Sequence, residues 1–118
     1  MVAVRYIYVT DNMHDMLSFY RDVLGMPVVS GPRVIGSEND GFVELGAGSF
    51  MIALHRSGTP GVSGHCRHKL VFTATDVPAE REALVTKGLQ VSRVYTWGEV
   101  QYCDFEDPDG NLLQLSNR

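Results

Sequence analysis

The sequence predicts an α+β fold in which one strand–helix–strand–strand–strand unit is used twice within 118 residues. Three short segments of the first half recur in the same order in the second half, at separations of about 65, 63 and 61 residues. Because the separations change only slightly, short loop deletions account for the difference. The chain is therefore predicted to be a single domain with repeats at about 1–56 and 65–118. The matching pairs are Thr10-Asp11 with Thr75-Asp76, Leu24-Gly25-Met26 with Lys87-Gly88-Leu89, and Ile52-Ala53-Leu54 with Leu113-Gln114-Leu115.

The first repeat opens with a predicted strand that is followed directly by a helix. Residues Val4 to Val9 are rich in β-branched and aromatic types, which is typical of a strand buried on both faces. Asp11 is a suitable N-cap for a helix over Asn12 to Leu24, and Gly25 supplies a left-handed stop. Apolar residues recur in this helix at steps of three and four, which predicts one buried stripe: Met13, Met16, Leu17, Tyr20 and Leu24.

Three further strands complete the first repeat. The sequence predicts a short strand over Met26 to Val29 and two others over Gly41 to Leu45 and Ser49 to His55. Gly46-Ala47-Gly48 is expected to join the last two as a hairpin. The stretch from Arg56 to Gly64 is rich in Gly and Ser, and it is predicted to connect the repeats.

The second repeat begins with the same strand and helix signals. Lys69 to Ala74 is predicted to be a strand, and Asp76 is predicted to be the N-cap of the following helix. Ala83 and Leu84 are expected on the apolar side of this helix, which Lys87-Gly88 ends.

Three strands close the chain, over Val91 to Tyr95, Val100 to Phe105 and Asn111 to Ser116. Asp107-Pro108-Asp109-Gly110 is predicted to be the turn between the last two strands. Its two aspartates are interpreted as turn formers rather than catalytic acids, because the turn sequence accounts for both.

Composition narrows the class of function. Hydrophobic residues make up 44% of the chain and charged residues 20%, which is typical of a folded globular protein. The net charge of −4 and the scattered basic residues argue against nucleic acid or anionic membranes as partners. No apolar run approaches the roughly 20 residues that span a bilayer and no signal-peptide pattern is present, so a cytoplasmic location is expected. Cys66 and Cys103 form no CxxC pair and are expected to be reduced.

Two motifs stand out within the doubled pattern: Phe19-Tyr20-Arg21-Asp22-Val23-Leu24-Gly25 and Asp107-Pro108-Asp109-Gly110-Asn111-Leu112-Leu113-Gln114-Leu115. Together, and over nearly the whole chain, they resemble the vicinal oxygen chelate superfamily, which includes glyoxalase I, fosfomycin resistance enzymes, extradiol dioxygenases and bleomycin resistance proteins. The resemblance implies a curved, U-shaped mixed sheet with the helices on its convex side. It implies no single activity, because this fold carries several unrelated chemistries.

In the enzymatic members, the resemblance implies that His, Glu or Gln side chains on the concave face bind one divalent metal ion. The corresponding positions here are Val4, Ala53, Lys69 and Gln114. Val and Ala have no donor atoms and an ammonium repels a cation, so we expect no metal cofactor. In the alternative, a shifted register lets His68 and Gln114 bind a divalent metal. Metal-capable residues also gather near the crossover, where their role stays open: His55, His65, Cys66 and His68.

Alternation along the strands from these four positions places mostly aromatic and apolar side chains on the concave face, as is typical of small-molecule sites. The resemblance to the fosfomycin enzymes implies that Tyr102 and Asp104 point the same way. The predicted ligand-binding residues are Tyr6, Tyr8, Met51, His55, Lys69, Trp97, Tyr102, Asp104 and Gln114. Tyr6 and Tyr8 could instead fill the core, and Trp97 could pack in the core or contact another subunit. Lys69 is the candidate catalytic residue, as a base or nucleophile, although it could also bind an anion or pair with Asp104.

Two functions remain open from the sequence. We favour a protein of the bleomycin resistance type that sequesters a small planar or cationic molecule without metal. The alternative is a lyase, isomerase or dioxygenase of the same superfamily with a non-standard or absent metal site. A small-molecule ligand and a second copy in a C2 homodimer are the expected partners. The repeats could pair within one chain or exchange between two chains.

Overall fold

The computed structural model describes residues 5–32, 41–57 and 69–118 of two compact units, Met1–Ser63 and Gly64–Arg118. Each unit contains a strand, a helix and three more strands in the predicted order, and one predicted repeat falls in each unit. The predicted α+β class with a repeated unit is therefore confirmed. Some of the residues discussed above lie outside the described ranges: Val4, His65, Cys66 and His68.

The first unit is a four-stranded mixed sheet with one helix. Its strands lie in the order β1-β4-β3-β2, with β1 parallel to β4 and the other neighbours antiparallel. The elements are β1 (Arg5–Thr10), α1 (Met13–Leu17) with a π-helical continuation (Ser18–Val23), β2 (Val28–Ser30), β3 (Phe42–Ala47) and β4 (Phe50–Arg56).

The helix of the first unit starts and ends for different local reasons. The prediction of Asp11 as the N-cap is wrong: the cap position is Asn12, and the Thr10 hydroxyl accepts from its backbone N–H at 2.9 Å. Gly25 ends the helix as predicted, with φ of 73° in the left-handed region. The stripe is buried except at Leu24, which is only half-buried because it sits at the helix end.

Strand β1 buries one face only. The Tyr8 ring stacks on Tyr20 of the helical segment with centroids 5.7 Å apart, and Tyr8 is 6% exposed. On the opposite face Ile7 and Val9 are 47% and 46% exposed. The expectation of a strand buried on both faces is therefore wrong for the described chain, because α1 covers a single side of the sheet.

The second unit repeats this arrangement in the order β5-β8-β7-β6, with β5 parallel to β8. Its elements are β5 (Lys69–Thr73), α2 (Val77–Thr86), β6 (Tyr95–Trp97), β7 (Val100–Glu106) and β8 (Leu112–Ser116). The strand predicted over Val91 to Tyr95 is misplaced. Val91 makes only an isolated bridge to Phe105, and regular pairing begins at Tyr95.

Helix α2 has the predicted ends. The Asp76 carboxylate accepts from the Ala79 backbone N–H at 3.0 Å, and Gly88 closes the helix with φ of 93°. Leu84 is buried, but the placement of Ala83 on the apolar side is wrong because its side chain is exposed. The helix therefore buries a narrower stripe than predicted.

The turn between β7 and β8 is held by one buried carboxylate. Asp107 is 5% exposed, and its Oδ1 accepts from the backbone N–H groups of Asp109 and Asn111, each at 2.9 Å. Its Oδ2 accepts from the Asn111 side-chain amide at 2.7 Å. These bonds confirm the interpretation of Asp107 as a turn former.

Candidate functional site

Among the described residues of the second unit, α2 covers one face of the sheet and no helix covers the other. Leu113, Cys103 and Phe105 are buried on the side of β7 and β8 against which α2 packs. Side chains alternate along strands, so the residues between them point away from the helix. The pairing of β5, β7 and β8 places six of these side chains on the side away from α2. We call this side the second-unit face, and its residues are Lys69, Val71, Tyr102, Asp104, Leu112 and Gln114.

A charged network lies at the centre of the second-unit face. Lys69 Nζ donates to Asp104 Oδ1 at 3.1 Å, and Gln114 Nε2 donates to the same oxygen at 2.8 Å. The Asp104 backbone N–H also donates to the Ser92 hydroxyl at 2.9 Å. The Lys69 and Asp104 side chains are 40% and 30% exposed, so solvent and a ligand can reach them.

Aromatic rings continue the face beyond Asp104. Tyr102 stacks on Tyr95 of the neighbouring strand, with centroids 5.4 Å apart and planes at 22°. The Arg93 guanidinium lies over the Tyr95 ring, 4.2 Å from its centroid. Trp97, two residues further along β6, is 73% exposed. The structure thus brings five predicted site residues to one face: Lys69, Trp97, Tyr102, Asp104 and Gln114.

The helix-free face of the first unit carries two predicted site residues. Met51 pairs with Arg5 and His55 pairs with Val9, so both side chains share the face opposite α1. The predicted placement of Tyr6 and Tyr8 on this face is wrong. Tyr8 stacks on Tyr20 of the helical segment, and the ring centroids of Tyr6 and Tyr8 lie 4.9 Å apart. The alternation of β1 is shifted by one residue from the expected register.

The two units carry equivalent ion pairs on their helix-free faces. In the first unit Arg5 Nη2 lies 2.9 Å from Glu44 Oε2, joining β1 to β3 as Lys69 and Asp104 join β5 to β7. Ala53 pairs with Glu44 where Gln114 pairs with Asp104. Alanine has no side-chain donor, so Ala53 cannot give Glu44 the amide hydrogen bond that Gln114 gives Asp104.

The described residues at the expected metal positions do not fit a divalent cation. Ala53 offers no donor atom, Lys69 places an ammonium at the third of the four positions, and Gln114 directs its amide nitrogen at Asp104. Within residues 5–32, 41–57 and 69–118, no group of three or more His, Cys, Asp or Glu side chains could hold a metal ion.

A cavity of about 400 Å³ opens on the second unit beside Asp104. Gln90, Glu106 and Leu112 line it together with Asp104 and Phe105. Sequence reasoning missed Glu106 and Gln90 as site residues, and it also missed Arg93 and Tyr95. The alternation of Asp104 with Glu106, and of Arg93, Tyr95 and Trp97, is the signal that could have found them.

Cys103 is not a nucleophile in this arrangement. The side chain is fully buried, and burial raises the pKa of the Cys103 thiol although the charge of Arg81 opposes the shift. The protonated thiol therefore dominates at neutral pH, which agrees with its interpretation as a reduced, buried residue.

Comparisons with known proteins agree with this fold. A structure of lactoylglutathione lyase from Agrobacterium tumefaciens superposes with a TM-score of 0.73, at 18% identity over 98% of this chain and 92% of that chain. TnmS3, an antibiotic binding protein from Streptomyces sp. CB03234, gives a TM-score of 0.70, at 17% identity over 98% and 93%. The search of curated proteins finds no match. The family model for the Glyoxalase/Bleomycin resistance protein/Dioxygenase superfamily matches residues 3–115, and the chain belongs to that superfamily.

Proposed function

We propose that the protein binds a small organic molecule on the second-unit face and releases it unchanged, without a metal. The observation that carries this proposal is the Lys69–Asp104–Gln114 network, in which Lys69, the candidate base, is ion-paired with Asp104. As an ammonium held 3.1 Å from a carboxylate, Lys69 has no lone pair for nucleophilic attack. The network can orient a polar group of a ligand without taking part in a reaction.

The aromatic part of the face supplies the surface for the body of the ligand. Tyr95 and Tyr102 present stacked rings next to Asp104, and Trp97 is exposed beside them. Burying apolar and aromatic surface contributes about 25 cal/mol per Å² before ordering costs are subtracted. Micromolar binding of a flat molecule therefore needs no metal coordination. The similarity to a protein described as antibiotic binding supports the same reading.

A calorimetric screen of aromatic antibiotics and metabolites tests the proposal, combined with mass spectrometry of the recovered ligand. We expect saturable binding, an unchanged ligand mass, and loss of affinity in Tyr102→Ala and Gln114→Ala. Gln101→Ala is the matched control, because residue 101 precedes Tyr102 on β7 and alternation directs it to the opposite face. Equal binding by all three variants would place the site elsewhere.

The second candidate function is a lyase, isomerase or dioxygenase, and the similarity to lactoylglutathione lyase favours it. In that case Lys69 would act as base or nucleophile once a ligand displaces it from Asp104. Turnover of any screened compound that Lys69→Ala abolishes would replace the binding proposal with this one.

The cytoplasmic location and the C2 homodimer belong to the proposal as well. The structural finding is that no helix in residues 5–32, 41–57 and 69–118 is long and apolar enough to cross a membrane. Sedimentation equilibrium at several protein concentrations tests the dimer.

A further inference from the structure

The cavity on the second unit is lined by more negative than positive charge. Asp104 and Glu106 alternate on β7, so both carboxylates share the helix-free side, and both line the cavity of about 400 Å³. Lys69 neutralises Asp104, whereas no described basic residue forms an ion pair with Glu106. Leu112 and Gln90 add an apolar and an amide contact. The cavity therefore suits a cationic group attached to an apolar body.

The hydrogen-bond partners of Asp104 differ in the mobility of their side chains. The Ser92 hydroxyl accepts from the Asp104 backbone N–H, and Gln114 donates to the carboxylate from within β8. Lys69 reaches the same oxygen through a flexible four-carbon chain, and its side chain is 40% exposed. An exposed ion pair of this kind is weak because water screens it. Asp104 is thus fixed, and Lys69 is the partner that a ligand can displace.

The neighbouring rings already hold a flat cation. The Arg93 guanidinium lies 4.2 Å from the centroid of Tyr95, which stacks on Tyr102, two residues before Asp104 on the same face. Aromatic faces attract cations through their quadrupole. This contact is independent of the carboxylates, and it shows that this aromatic surface accepts a flat cation.

We propose that the cavity binds the ammonium or amidinium group of a small organic ligand, and that the Lys69 ammonium occupies the Asp104 end of this site when no ligand is bound. The inference rests on the proposed function and names the chemical class of its ligand. It makes Lys69 a competitor of the ligand, not one of its binding groups. Removing Lys69 should therefore strengthen binding, whereas removing either carboxylate should weaken it.

Benzamidine and its neutral isostere benzamide provide the test, with dissociation constants measured by NMR titration at low ionic strength. We expect benzamidine to bind at least about tenfold more tightly than benzamide, since charge is the main difference between them. Lys69→Met should improve benzamidine affinity by about threefold to tenfold, because a larger fraction of the sites is then open. Asp104→Asn and Glu106→Gln should each weaken it by about tenfold or more.

Two control variants distinguish a change at the binding site from a general effect of the protein's net charge. Lys69→Arg keeps the competing charge and should retain nearly wild-type affinity. Glu80→Gln removes the same charge from the exposed first turn of α2 and should leave the affinity unchanged. Circular dichroism spectra identical to wild type would show that every variant is folded.

The inference is overturned if benzamidine fails to bind, if benzamide binds equally well, or if Lys69→Met weakens binding. These results leave the proposed function standing as long as a neutral or anionic aromatic compound binds and Gln114→Ala removes that binding. Turnover of a bound compound that depends on Lys69 would instead overturn the proposed function.

Discussion

Removal of the Asp107 carboxylate is the sharpest test of how the second unit is held together. Three hydrogen bonds, at 2.9, 2.9 and 2.7 Å, end on this buried side chain. A hydrogen bond to a charged group contributes about 1.5 to 3 kcal/mol, so the three together set an upper range of about 4.5 to 9 kcal/mol. Water that enters the turn of the variant replaces some of the lost hydrogen bonds. We therefore expect Asp107→Ala to lower the free energy of unfolding by about 3 kcal/mol.

Urea unfolding followed by far-ultraviolet circular dichroism measures this loss. With a slope of about 2 kcal/mol per M, a loss of about 3 kcal/mol lowers the midpoint by about 1.5 M. Asp107→Asn is the matched control. Its oxygen can still accept from the backbone N–H groups of Asp109 and Asn111, so we expect a loss of only about 1 to 2 kcal/mol. A midpoint for Asp107→Ala that equals the wild-type value would show that these hydrogen bonds do not stabilise the second unit.

Three further predictions concern packing, the thiol and the metal. Leu17→Ala should lower the free energy of unfolding in urea by about 2 to 5 kcal/mol, since Leu17 is 2% exposed. Leu24→Ala should lower it by less, because Leu24 is only half-buried. The reverse order would contradict the orientation of the helix. In a Cys66→Ala variant, Cys103 should react with a thiol reagent far more slowly than free cysteine at pH 7 to 8, because its raised pKa keeps the thiol protonated. The rate should increase as the pH rises. Rapid reaction of the folded protein at pH 7 would show that the Cys103 thiol is not protected. Elemental analysis of the purified protein should find no stoichiometric metal, and one ion per chain that His68→Ala removes would show a metal site we did not expect.

Much of the fold was predictable because its turn and cap signals act locally. Asp76 and Gly88 delimit α2 through bonds to residues a few positions away, and the Asp107 turn fixes the start of β8. Once that turn is fixed, alternation assigns the side chains of the last two strands. The family resemblance predicted Asp104 and Gln114 on one face, and the pairing of these two residues places them side by side there.

The face of β1 was not predictable by the same means. Its sequence is apolar and aromatic at both odd and even positions, so polarity gives no phase. Packing of Tyr8 on the helical segment and the pairing of Arg5 with Glu44 decide the phase, and both are long-range contacts. Glu44 therefore could not be identified until β1 and β3 had been placed in one sheet.

An NMR titration locates the binding surface most directly. The Gln114 side-chain amide and the Trp97 indole N–H report on the second-unit face, whereas the amides of α2 report on the covered side. We expect a flat aromatic ligand from the calorimetric screen to shift the Gln114 and Trp97 signals in a saturable way and to leave the α2 signals unchanged. Saturable shifts confined to α2 or to the first unit, with the Gln114 amide unmoved, would show that the ligand does not bind on the second-unit face.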